Sequence, residues 1–176
     1  MATNIAWPGG DEYAEFHKSY MAAVANETDG LVVLERQKLL IDAIGRLTPE
    51  QAAFRYAEGK WSVKEVTGHL SDSERVLAYR LLRVARGDQT PLPGFDENAF
   101  VAGSNADRRT LGDLAAELAA VRATTLALVR SLEDDALVRR GTVNNWPLSA
   151  RALAFIIAGH FQHHVNVLRD RYAISL

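Results

Sequence analysis

The chain has 176 residues and a formal net charge of −2, with 22 acidic and 20 basic residues interspersed and no cysteine. That length suits one domain with a substantial core. No basic tract is present to neutralise phosphates, which argues against a nucleic-acid partner, and the lack of cysteine excludes a disulfide framework, a thiolate metal site and a cysteine nucleophile.

The opening stretch MATNIAWPGGDEYAEF carries neither a basic nor an apolar signal region, so a cytoplasmic location is expected. The longest apolar runs are too short to cross a bilayer, so no membrane partner is expected. A short helical stretch is predicted between Asp11 and Val24, with His17 on the surface.

The first long helix is predicted from Leu31 to Leu47, after the breaking pair Asp29-Gly30 and before Pro49. Leu31, Leu34, Leu39, Ile41 and Ile44 supply its apolar positions. The second has a clear start: Ser62 and Glu65 form the S-x-x-E capping box, and Trp61 stands where a hydrophobic staple packs. Val66, Leu70, Val76, Leu77, Leu81 and Val84 carry this helix to Gly87, a natural stop. A long connection follows, DQTPLPGFDENAFVAGSNADRR, which Leu92, Phe95 and Phe100 are expected to anchor against the fold.

The third helix begins at Thr110 and runs to about Leu132 through Leu111, Leu114, Leu118, Val121, Leu126, Leu128 and Val129. After a turn-rich stretch in which Trp146 and Pro147 repeat the staple position, Ser149 caps a fourth helix that extends to about Tyr172. Arg169 and Arg171 complement the dipole of its last turn. Strand signals are weak throughout. The elements predict an all-α four-helix bundle as a single domain over 1–176, with its core at about 31–172 and a long crossover loop between helices 2 and 3.

Chemistry concentrates in histidine. His160 and His164 are four residues apart and share one side of the fourth helix, about 40° from each other on a wheel of about 100° per residue. Leu153, Ile156, Ile157, Val167 and Leu168 share that face, so both imidazoles point inward. His69 lies beside the apolar face of the second helix, where it can reach across. Three neutral imidazoles gripping one ion leave a position open for water or substrate, the arrangement of a catalytic site. Spacing alone leaves a second reading open, in which these are hydrogen-bonded core histidines. His163, at the edge of the same face, is the poorer third partner. Phe161 stands where a zinc protease of the H-E-x-x-H type carries its general base.

Around this set, Asp72 is a candidate to orient an imidazole through its second N–H. Glu74 and Arg75 read as surface charges. Arg80 falls near the centre of the second helix's apolar face, where it pairs with a buried carboxylate or lines a pocket for an anionic substrate.

The segments GKWSVKEVTGHLSDSERVLAYRLLRVARGD, PLPGFDENAFV and AGHFQHHVNVLRDRY, in this order and spacing, resemble the DinB superfamily, in particular its YfiT-like branch. The resemblance spans about Leu31 to Tyr172. It implies a four-helix bundle with a divalent metal held by three histidines, positions that fall here on His69, His160 and His164. Zinc, nickel and iron all suit three imidazoles. The family's characterised members imply an enzyme that joins a low-molecular-weight thiol to a small electrophile, or a hydrolase. The alternative is a non-catalytic metal-binding or oligomerising bundle. Family habit, with an apparent apolar surplus at Leu128, Val129 and Leu132, leads to the expectation of a homodimer.

Overall fold

The structure is a computed structural model, and it describes residues 4–176. Four long helices dominate it: α2 (Gly30–Ile44), α4 (Val63–Ala85), α6 (Leu111–Arg130) and α8 (Ala150–Tyr172). Shorter helices α1 (Lys18–Ala23), α3 (Pro49–Ala53), α5 (Glu97–Gly103) and α7 (Asp134–Leu137) lie between and before them.

The caps form where the side-chain chemistry requires them. Ser62 accepts from Glu65 N while the Glu65 carboxylate accepts from Ser62 N, and Thr110 and Ser149 accept from Asp113 N and Ala152 N. Asp29 caps α2, which starts one residue before Leu31.

The bundle closes as a ring in which α6 packs on α2 and α4, and α8 packs on the other side of both. Cross-contacts fix the directions. Gly68 faces Leu114 and Glu74 meets Arg122, so α4 and α6 run parallel. Gln37 meets Ala158 and Gly30 faces Phe155, so α2 and α8 also run parallel, opposed to the first pair. Two parallel neighbours cannot be joined by a tight turn, and this accounts for the long connection between α4 and α6. A 23-residue helix is about 35 Å long, and the chain must return along all of it before α6 can begin.

That connection is ordered by Leu92 and Val101, both buried, whereas Phe100 is exposed and Phe95 half-buried. Leu92 N donates to Thr142 O and Asn144 N donates to Leu92 O. These bonds tie the connection to a hairpin that the sequence reading did not predict, β1 (Arg140–Val143) and β2 (Trp146–Ser149), paired antiparallel with Val143 opposite Trp146. Its two-residue turn, Asn144-Asn145, has both residues at positive φ, 48° and 67°, as a tight hairpin turn requires. Trp146 is 48% exposed, so it is not a staple.

Other expectations need correction. Leu39 is exposed, and Val33 with Gln37 takes its place on the inner face of α2. Val129 and Leu132 are fully buried and Leu128 packs half-buried against them, so these residues form no surplus apolar face and give no support to a dimer. Glu74 is buried, not a surface charge: Arg122 Nε and Nη2 donate to its two oxygens, both at 2.7 Å.

Arg122 Nη1 donates in addition to Gln37 Oε1 and Leu34 O, and Gln37 Nε2 donates to Ala158 O. One polar layer therefore joins all four long helices. It divides the core in two, with Leu34, Leu77, Leu126 and Ile157 on one side and Ile41, Leu70, Leu118 and Phe161 on the other.

Candidate metal centre

The histidines flank this polar layer. His69 follows Gly68, whose missing side chain lets Ala106 approach: a Cβ there would lie 3.2 Å from Ala106 Cβ. His160 follows Gly159, where an added Cβ would lie only 2.2 Å from the carbonyl oxygen of Tyr20. That glycine admits the backbone of α1 against α8, and the Tyr20 ring then rests edge-on to His160 with centroids 5.3 Å apart.

His69 Nε2 lies 3.1 Å from His160 Nε2 and 3.2 Å from His164 Nε2. One proton on His69 Nε2 can bridge only one of these contacts, so the triad cannot satisfy itself by hydrogen bonding. A cation at the meeting point would satisfy all three lone pairs. Two nitrogens about 2.0–2.1 Å from a tetrahedral ion stand about 3.3–3.4 Å apart, close to the spacings observed. The three residues form a group that could hold a metal ion.

Burial keeps them in the neutral form that a ligand needs. It pushes His69 down to about 4. His160 falls to about 3, through burial first and then the neighbouring His69 and His163. His164 is held well below its ordinary value by burial, then by His160, His69 and His163.

His163 stays outside the triad and packs edge-on against Tyr20 at 5.5 Å. Asp72 does not orient an imidazole, because it pairs with Arg75. Ser73 takes that place, its Oγ lying 3.4 Å from His69 Nδ1. His164 Nδ1 is buried with no partner among the described residues. Trp61, expected as a staple or core residue, lies at a tilt against His69 with centroids 4.8 Å apart.

Two cavities meet the triad. The smaller, about 120 Å³, has His160, Ser73, Tyr20 and Arg80 in its wall. The larger, about 260 Å³, has His164, Trp61, Lys60 and Asn98. Arg80 is buried and has no carboxylate partner among the described residues; its Nη2 donates to Pro93 O at 2.6 Å, and its guanidinium lies 5.6 Å over the Phe95 ring. His17, expected at the surface, is buried in the wall of the smaller cavity. The sequence held a signal for this wall in His17 and Tyr20, three residues apart on one side of a helical turn.

Residues 34–168 match the model of the DinB superfamily. The chain belongs to the DinB superfamily. A solved structure of similar fold, YfiT from Bacillus subtilis, is 19% identical in sequence and superposes with a TM-score of 0.65, over 97% of this chain and 95% of its own. That protein is described as a probable metal-dependent hydrolase with an unusual four-helix bundle topology. At this identity the likeness shows the fold alone. No curated protein matches the chain.

Proposed function

We propose that this DinB-superfamily chain is a metal-dependent enzyme in which His69, His160 and His164 hold one divalent ion, and that it transfers a low-molecular-weight thiol to a small electrophile. The observation that carries the first half is the convergence of three Nε2 atoms, with contacts of 3.1 and 3.2 Å that hydrogen bonding cannot satisfy. A bound divalent ion supplies Lewis acidity that lowers the pKa of a thiol or of water.

The second half draws support from the two cavities. His160 walls one and His164 the other, so two organic molecules can approach the triad from different sides. Trp61, tilted against His69, and Tyr20, edge-on to His160, restrict water around the reacting atoms. The chain needs no cysteine of its own if the nucleophile arrives as a free thiol. Water in the same place would make the enzyme a hydrolase, the activity attributed to YfiT.

The test is consumption of a small alkylating electrophile by zinc-loaded protein, with cysteine or glutathione added and without. A rate that requires both the metal and the thiol is expected, rising with pH to a plateau. Equal rates with and without thiol would favour hydrolysis. No turnover of electrophile or ester by fully loaded protein would favour a binding protein.

A further inference from the structure

Arg80 and Arg122 are the two arginines buried in this bundle, and the fold treats them differently. Arg122 is enclosed by both oxygens of Glu74 and by two further acceptors. Arg80 is 8% exposed, and among the described residues it has no carboxylate within 4.0 Å and one hydrogen bond, to Pro93 O. A guanidinium carries five N–H donors, and withdrawing it from water without a counter-charge is costly. Pro93 and the Phe95 ring hold the group in place without neutralising it.

The uncompensated charge faces a built space. Arg80 lines the cavity that ends at His160, together with His17, which is 9% exposed and whose Nδ1 is buried without a partner among the described residues. Two under-satisfied polar groups thus stand in one wall, across from a histidine of the triad. At about 30 Å³ per water, a volume of about 120 Å³ holds about four waters, or a carboxylate with a few carbons. Glu97 is the one acidic side chain in that wall, and it opposes anions of high charge.

We propose that this cavity is an anion-recognition subsite, in which Arg80 binds a singly charged carboxylate of the substrate and so orients the reacting end towards His160. The inference deepens the proposed function and rests on it for the role of the triad; the subsite itself uses no group of the triad as a binding partner.

Propionate and its uncharged counterpart propionamide test it, titrated into metal-free and zinc-loaded protein, with affinity read by calorimetry in every variant and the Arg80 Nε–H resonance followed by NMR wherever Arg80 is present. Propionate should shift that resonance saturably in both forms. Propionamide should bind about ten-fold more weakly, the loss of one charge-assisted hydrogen-bond set. Glu97→Gln should tighten propionate binding several-fold by removing the like charge, and this variant leaves Arg80 and its packing in place. Arg80→Met should abolish binding in protein whose far-UV circular dichroism and melting are unchanged, and Arg80→Lys should retain part of it. Equal binding of acid and amide, or no effect of Glu97→Gln, would overturn the subsite. So would propionate binding that survives Arg80→Met but requires zinc, which would assign the anion to the metal instead. Zinc that fails to bind while Arg80 still answers propionate would sink the metal reading and uphold the subsite.

Discussion

Arg122 on α6 and Glu74 on α4 form a two-pronged ion pair inside the bundle, both contacts 2.7 Å long and Arg122 fully enclosed. Once buried, neither partner can be removed alone, because each charge is tolerable only beside the other. The pair also places a rigid polar layer next to Ser73 and His69 on one helix and Ala158 and His160 on another. The layer fixes the rotation and register of the helices that carry the triad.

Removing one partner strands the other. Glu74→Gln should destabilise the fold by about 3–5 kcal/mol, read as a lower urea midpoint. The double replacement Glu74→Leu with Arg122→Met should recover much of that loss, since no charge is then left buried. A Glu74→Gln unfolding free energy within about 1 kcal/mol of the parent's would show that water reaches the layer.

Gly159 is required by Tyr20. A methyl group at Gly159 collides with the α1 backbone, which cannot retreat as a flexible side chain can. Gly159→Ala should cost about 1–3 kcal/mol. It should also displace Tyr20 from His160, so that the ring-current shift of the His160 imidazole protons falls towards its value in Tyr20→Leu. An unshifted His160 spectrum in Gly159→Ala would contradict the contact.

Acid should unfold the metal-free protein. His69 and His160 are depressed to about 4 and about 3, while in the unfolded chain they titrate near 6.5, so below that value the unfolded state binds more protons. Stability is therefore fully present above about pH 6.5 and is lost progressively as pH falls towards those folded values. The melting temperature of metal-free protein should drop between about pH 7 and pH 5. Replacing His160 by Gln should flatten that dependence. A bound ion competes with the protons and should move the fall to lower pH. A melting temperature that rises on acidification would contradict the burial of neutral imidazoles.

The features legible in the sequence are those encoded within one element. Ser62 with Glu65, Thr110 and Ser149 announce helix starts because a cap needs only its own first turn. His160 and His164 announce a shared face because four residues are nearly one turn. The Glu74–Arg122 pair spans 48 residues, and each partner alone looks like an ordinary helix charge. Its signal was positional: Glu74 falls between Leu70 and Leu77, and Arg122 between Leu118 and Leu126, each on an apolar face. Leu39 shows the converse, an apolar residue at a position that the packing of α2 turns outward. The hairpin escaped because its strands are only four residues long and contain Gly141 and Pro147, so they carry no alternation to read. The wall of the smaller cavity is assembled from α1, α4, the connection after it, the hairpin and α8. No local pattern encodes such a meeting.

The central claim is that the triad holds one divalent ion. Elemental analysis of the purified protein after zinc loading and exhaustive dialysis measures this most directly, in the parent and in His69→Ala, His160→Ala, His164→Ala and His163→Ala. One zinc per chain is expected in the parent and in His163→Ala, with loss of stoichiometric zinc in each of the other three. Full zinc in His164→Ala, or loss of zinc in His163→Ala with the fold intact, would contradict it.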